Sequence, residues 1–542
     1  ILEPLQEDWS DVKTVAAKEL RAGSKANAIN EILAFLRKLA SIRILDPACG
    51  TGNFLYVALM QMKQLEGDVL TVLEDLGGEN SVKRFREISV MPEQFLGMEI
   101  NSRAVRIAEL VLWIGYLQWH LKTRKGPPPE PVIHDSDHVI EKDAVLTWDG
   151  YPERPLKRDA TGKPVQKYGA DGAIDPVFLL ANPRVPVWLD ADFIVGNPPF
   201  IGGKDLRARL GGDYAEALWK AHPTINNSAD FVMYWWDACA RLLASKKTRL
   251  RRFGLVTTNS ITQVFQRRVV DQHLNSKKPV SLVMAIPDHP WTKASKDAAA
   301  VRIAMTVAAA GEHEGVLGTV TSETGLETDD PKIGMMMTRG RINADLTVGV
   351  DVTTVKGLLS NAALCSPGVK LHGDGFIISD TKAIELGLGR REGLEHHIRD
   401  YRNGRDLTSR PRRVKAIDLF GLSKDEVRHR FPEVYQHLLI TVRSQREIQF
   451  LKSPTKDAAS YLEKWLEFGK PRTELRPALE DLPRYIATVE TAKHRVFQFL
   501  DADILPDNML VAISSGDAFH LGVLSSSIHR LWTAKQGGAL ED

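Results

Sequence analysis

Asn197-Pro198-Pro199-Phe200 follows the β-like run Phe193-Ile194-Val195, and every member of the tetrad has a use in one kind of chemistry. An exocyclic amine conjugated to a base ring is a poor nucleophile, because its lone pair is delocalised into the ring. The Asn197 side-chain oxygen and the Pro198 carbonyl can accept its two hydrogens, leaving the lone pair aimed at an electrophilic methyl for in-line attack. Pro198 and Pro199 fix the loop so that the carbonyl points into the site, and Phe200 offers a flat face on which an extruded base can stack. Chance supplies such a tetrad only about 0.01 times in a chain of this length. That weighs against a rigid surface turn in which Phe200 merely packs.

A second constellation suits a donor of that methyl. Asp46-Pro47-Ala48-Cys49-Gly50-Thr51-Gly52-Asn53-Phe54 follows a strand and opens a helix, where glycines let the backbone approach a ligand at a helix N-terminus. An acid ending the strand attracts the ammonium of an amino-acid-bearing ligand, whereas a phosphate loop would supply Lys. Glu99, in Gly97-Met98-Glu99-Ile100-Asn101, ends a second strand and can accept from two ribose hydroxyls. Asp143, in Lys142-Asp143-Ala144, ends a third; it can accept from an adenine amino group or equally cap a turn. Singly each acid has a structural explanation, but three in order on successive strands predict an S-adenosylmethionine site, with S-adenosylhomocysteine as product.

The elements that must carry these residues alternate. Residues 24–40, with Ile29, Ile32, Leu33, Leu36 and Leu39 at helical spacing, read as an amphipathic helix within an N-terminal helical segment, 1–41. Strands at 42–45, 94–98, 139–140, 193–195, 253–258, 280–286 and 301–307 alternate with helices at 56–65, 104–121 and 228–245, which predicts an α/β domain with a doubly wound sheet over 42–310. The last two strands are expected to pair as a closing hairpin. Residues 122–190, rich in Pro and Gly, interrupt the rhythm as an excursion of loops. From 311 to 542 the text turns to short β-like pieces such as 316–321 and 370–379, then basic helix and loop, and predicts a second, mixed α+β region.

Bulk properties set bounds. At 542 residues the chain exceeds one core, and 43% hydrophobic with 26% charged residues is ordinary globular composition. No run of about 18 apolar residues offers a membrane span. Cys49, Cys239 and Cys365 are too few and too scattered for a disulfide framework or a zinc knuckle, which fits a reducing cytoplasm. The sequence starts at Ile1 without an initiator methionine and stops abruptly after Glu541-Asp542, so both ends look truncated.

The net charge is +2, yet residues 391–500 hold 22 Lys/Arg against 16 Asp/Glu, an excess of six that suits either a phosphate-facing surface or a solvated one. Arg402, Asn403, Arg405, Arg410, Arg412 and Arg413, on what reads as loop, are candidate contacts to double-stranded DNA. Lys493 and Arg495 beside Phe497 are further candidates, although an amphipathic strand explains them nearly as well. His134 and His138 share a His-x-x-x-His spacing next to Asp135 and Asp137, but the prolines before them disfavour a helix, no Cys-x-x-Cys accompanies them, and in-line methyl transfer needs no metal; none is expected.

Asp46 to Gly52 with Asn197 to Phe200 resembles the motif I and motif IV pair of amino-methylating DNA methyltransferases, and their order with a basic C-terminal region resembles the gamma class. The resemblance implies a Rossmann-like class I methyltransferase sheet followed by a target recognition domain, with adenine N6 as the usual target. More narrowly, Gly196 to Gly203, Ser228 to Asp237 with Tyr234-Trp235-Trp236, Gly254 to Gln263 and His520 to His529 are similar to the large methyltransferases of DISARM anti-phage systems, a pattern shared by MmeI-like restriction-modification enzymes. Carried over, Asp46, Ala48, Cys49, Gly50, Gly52, Asn53 and Phe54 would line the methionine side of the donor. Glu99 with Ile100 and Asp143 with Ala144 would hold its ribose and adenine, and Asn197 to Phe200 the target base. MmeI-like enzymes carry an N-terminal nuclease, for which the segment before Ile42 leaves no room. The chain is therefore expected to methylate without cutting, unless a nuclease was removed from the N-terminus, in a defence system with other subunits as candidate partners. A restriction-modification module, a protein-glutamine or RNA methyltransferase, and a DNA-binding scaffold with a dead site are the competing readings.

Overall fold

The computed structural model describes residues 1–77, 88–123, 138–150, 167–168, 174–175, 180–291, 302–326, 328, 331–350, 358–361, 363–452, 456–491 and 495–536. His134, Asp135, Asp137, Lys493 and most of the excursion 122–190 lie outside the described residues. The chain divides into two compact units, Ile1–Asp351 and Val352–Asp542. The division falls beyond the 310/311 boundary expected from the sequence, because two further strands complete the first unit's sheet.

Unit 1 opens with helices α1 (Leu2–Arg21) and α2 (Lys25–Ser41), the second burying Ile32, Leu33, Leu36 and Leu39 as the spacing predicts. Then follow β1 (Ile44–Asp46), α3 (Asn53–Gly77), β2 (Phe95–Glu99), α4 (Ser102–Thr123), β3 (Val139–Glu141) and β4 (Phe193–Gly196). After these come α5 (Leu206–Leu210), α6 (Gly212–Ala221), α7 (Val232–Leu243), β5 (Arg252–Thr258), α8 (Val264–Leu274), β6 (Val280–Pro290), β7 (Arg302–Ala310), β8 (Gly315–Thr324) and β9 (Lys332–Gly340). The strands form one sheet in the order β9-β8-β6-β7-β5-β4-β1-β2-β3. From β3 to β5 all neighbours run parallel, β7 is antiparallel to both β5 and β6, and β8 is parallel to β6. The expected pair β6 and β7 thus forms, but β7 inserts next to β5 and does not close the sheet.

Alternation explains the layers. Ile44, Phe95 and Phe193 point into a core with α1 to α4, whereas their neighbours Leu45, Leu96 and Ile194 point into a core with α6, α7 and α8. Strands buried on both faces need apolar residues at every position, which is why these runs are continuous. The chain moves outward from β1 through β2 to β3 and then returns to β4 on the other flank of β1. Such a reversal opens a crevice beyond the carboxyl ends of the strands.

Among the described residues unit 2 contains two four-stranded sheets. Their strands are β10 (Cys365–Pro367), β11 (Ile377–Ile378), β12 (Ile398–Arg402), β13 (Val414–Ile417), β14 (Arg484–Val489), β15 (Phe497–Asp501), β16 (Leu505–Pro506) and β17 (Leu510–Ile513). They order as β10-β17-β14-β15 and β11-β13-β12-β16. Arg446, buried at 2% exposure, serves as a hub for this unit. Its five donors all go to backbone carbonyls: Nε to His372 (2.9 Å), Nη1 to Tyr461 (2.6 Å) and Lys464 (3.0 Å), and Nη2 to Leu371 (3.1 Å) and Glu467 (2.9 Å). Burial lowers its pKa to about 10, and carbonyl dipoles stand where a counter-ion would. Arg446→Met orphans those carbonyls and should destabilise unit 2 by about 3 kcal/mol or more, with Arg446→Lys recovering part of the loss. Calorimetric unfolding checks this, and an unshifted transition for the Met variant would count against the hub.

Candidate active site

The donor loop joins β1 to α3. Gly50 and Gly52 have φ of +53° and +85°, and a Cβ on Gly52 would stand 3.1 Å from Ala108 Cβ on α4, so a side chain there is both strained and crowded. The loop is tied to β2: Cys49 N donates to Met98 O (3.1 Å) and Gly50 N to Glu99 Oε2 (3.0 Å), while Asn101 N donates to Glu99 Oε1 (3.0 Å). Glu99 is therefore the staple of the glycine loop, with a lone pair left on each oxygen for a further donor. Phe54 and Ile100 remain 38% and 70% exposed, apolar surface that a ligand would cover.

Asp46, 1% exposed, accepts Ala48 N at 3.0 Å. Burial, reinforced by the charge of Glu99, pushes its carboxyl up to about 7. Neither acid has a Lys or Arg partner among the described residues. Two acids without a counter-cation beside a glycine loop are an arrangement that can take a positively charged ligand. Cys49 is buried, and burial raises its thiol far above the ordinary range, which leaves it an inert wall of the loop.

The acceptor loop leaves β4 next door. Parallel pairing of Ile44 with Phe193 and Leu45 with Ile194 brings the two loops out side by side. A Cβ on Gly196 would lie 2.9 Å from Asp46 Oδ1, so only glycine permits this approach. Pro198 is buried, Phe200 is 36% exposed, and Asn197 Oδ1 is buried without a hydrogen-bond partner. A buried acceptor left unmatched costs about 1–3 kcal/mol unless a ligand satisfies it.

Asp143, expected to hold an adenine or to cap a turn, has three protein hydrogen-bond donors. Oδ1 accepts Val145 N (2.8 Å) and Leu146 N (3.0 Å) as a turn cap, and Oδ2 accepts Tyr214 OH (2.6 Å). Ala144 is buried, with its carbonyl accepting Trp188 Nε1 at 2.7 Å. In unit 2, the segment expected as loop is strand β12, a short helix α9 (Gly404–Thr408) and the approach to β13. Asn403 caps that helix, accepting Arg405 N and Asp406 N, and Arg412 pairs with buried Asp406 at 2.8 Å. These two side chains are thus engaged locally, whereas Arg405, Arg410 and Arg413 are exposed and Arg402 is half-buried. Arg495 Nη2 donates to Glu490 O at 3.3 Å.

Sequence reasoning missed the residues that brace the loops. Trp235 Nε1 donates to Pro47 O (3.0 Å), Asp230 accepts Gly203 N (3.1 Å), and Tyr214 reaches Asp143. Trp235 and Asp230 lie in the 228–237 stretch, whose similarity to a family was visible while its task was not.

A family model described as the MmeI DNA-methyltransferase domain matches residues 21–317, a span that includes both loops. The chain belongs to this family. It is 24% identical over 271 residues to DNA methyltransferase A of Bacillus subtilis (strain 168), across 49% of this chain and 26% of that protein, so it spans about a quarter of that relative's length. Among solved structures it is similar to the type IIL restriction-modification enzyme MmeI in complex with DNA, with 22% identity and a TM-score of 0.65 over 99% of this chain and 64% of that one. The shared fold is the large mixed α/β sheet with its helices. Among the described residues no helix is long and apolar enough to cross a membrane, and no group of three His, Cys, Asp or Glu is placed to hold a metal ion.

The Asp46 shift has a consequence for stability. In the unfolded chain this carboxyl ionises near 3.8, but in the folded, ligand-free protein it stays protonated up to about 7, so folding is progressively disfavoured as pH rises between those values. Asp46→Asn should remove that decline. Urea unfolding from pH 4.5 to 7.5 tests it, and parallel profiles for the two proteins would contradict the assignment.

Proposed function

We propose that this chain transfers a methyl group from S-adenosylmethionine to an exocyclic amino nitrogen in double-stranded DNA, with adenine N6 as the acceptor. The observation that carries the reading is the unpartnered, buried Asn197 Oδ1 beside the uncompensated Asp46. S-adenosylmethionine supplies an activated methyl on a sulfonium and leaves as S-adenosylhomocysteine.

Asp46 takes the ammonium of the donor, which favours the ionised carboxylate that burial alone disfavours. Glu99, already holding the glycine loop, accepts from ribose hydroxyls, and Phe54 and Ile100 cover apolar parts of the ligand. Asn197 Oδ1 and the Pro198 carbonyl accept the two amine hydrogens, and Phe200 stacks on the extruded base. As the new N–C bond forms, the surplus amine proton passes to water. Asp143 retains one acceptor position on Oδ2 for the adenine amino group of the donor.

The strand order supports a Rossmann-like methyltransferase sheet, the chain order of the loop at Asp46, the loop at Asn197 and the basic C-terminal region supports the gamma arrangement, and unit 2 is the region that reads DNA through Arg402, Arg405, Arg410, Arg413, Lys493 and Arg495. Adenine over cytosine, a DISARM-like defence role and further defence subunits as partners rest on the family resemblance, and a cytoplasmic location on the few, scattered cysteines. Asn197→Ala is expected to bind S-adenosylmethionine like the parent by calorimetry, yet to transfer methyl about 100- to 1,000-fold more slowly. Undiminished transfer by the variant would remove Asn197 from the mechanism.

A further inference from the structure

Asp230 stands at the entrance to α7, half-buried, with its two oxygens on different elements. Oδ1 accepts Gly203 N at 3.1 Å, and Oδ2 accepts Ser260 Oγ at 2.5 Å. Gly203 lies three residues beyond Phe200, and Ser260 lies in the turn Asn259–Thr262 that follows β5. Phe231 N donates to Ile201 O at 2.9 Å. A Cβ on Gly203 would sit 2.3 Å from Ser228 O, so the end of the acceptor loop is pressed against the backbone before α7. From the same helix Trp235 donates to Pro47 O in the donor loop, and its ring meets Phe231 edge-on with centroids 4.8 Å apart. Helix α7 is buried on nearly every side, so its start is a rigid reference for both loops.

We propose that Asp230 is the positioning residue of the acceptor loop, accepting from Gly203 N and Ser260 Oγ together and so setting Asn197 and Phe200 against the donor loop that Trp235 holds at Pro47. This rests on the methyl-transfer reading. Both carboxylate oxygens are engaged by the protein, and hydrogen bonds to an ionised acceptor are about twice as strong as neutral ones. Asp230 is assigned to the loop because it ties Gly203, just beyond Phe200, to the turn after β5. In-line transfer is intolerant of displacement, and a shift of about 1 Å can cost about 100-fold in rate.

The test follows label transfer from tritiated S-adenosylmethionine to unmethylated DNA, with cofactor affinity by calorimetry, for the full chain and its variants. Asp230→Ala should lower kcat by about 100-fold and leave cofactor affinity and Tm near those of the parent. Asp230→Asn, which can accept from Gly203 N with Oδ1 and donate to Ser260 with Nδ2, should regain most of the rate. If the Ala variant folds poorly, Ser260→Ala supplies the same readout, lowering kcat without weakening cofactor binding. An Ala variant at parental kcat, an Asn variant no better than Ala, or loss of rate in step with loss of cofactor binding overturns the positioning role alone. A parent chain that binds the cofactor yet labels no DNA overturns the methyl-transfer reading, and the positioning role with it.

Discussion

Strand β1 is three residues long and hydrogen-bonded in parallel to β2 on one flank and β4 on the other, and the remaining geometry of the site follows from that pairing. Parallel neighbours end at the same edge, so the loops after Asp46, Glu99 and Gly196 emerge together. The residues there answer to crowding. Gly52 lets α3 pack on Ala108, and Gly196 lets the acceptor loop touch the Asp46 carboxylate. With the strands buried on both faces by α1 to α4 and by α6 to α8, the edge is the place where polar chemistry meets solvent.

Arg446 and the two strand-end loops treat buried polar groups in opposite ways. Arg446 in unit 2 has every donor matched by a carbonyl and is structural. In unit 1, Asp46 is buried without a cation and Asn197 Oδ1 without a donor. Both groups lie at the ends of adjacent strands, where a ligand with a cation and a hydrogen-bond donor would match them. Around them the bracing is complete: Glu99 on Gly50, Trp235 on Pro47 and Asp230 on Gly203.

Much of unit 1 was legible because its signals are local. Alternating apolar runs marked β1, β2, β4 and β5, and the two loops announced themselves through residue types that few other structures need. The insertion of β7 beside β5 was not legible, since strand order is decided by packing across the sheet. The late boundary has a related cause: β8 read as an isolated β piece and β9 did not read as a strand, and only the pairing of β8 with β6 and of β9 with β8 assigns them to the first sheet. Asn403 and Arg412 looked like groove readers because composition does not reveal that Asp406, three and six residues away, claims them. Asp230 and Trp235 were hidden for the same reason, their partners lying 27 and 188 residues off in sequence.

The most direct measurement identifies the methylated product. The chain is incubated with unmethylated double-stranded DNA and isotopically labelled S-adenosylmethionine, and the DNA is digested to nucleosides for mass spectrometry, with RNA and total protein processed in parallel. The account predicts label in N6-methyldeoxyadenosine and none in RNA or protein. Label on C5 of cytosine would contradict the amine clamp formed by Asn197 and Pro198, and label confined to RNA or protein would contradict DNA as the substrate.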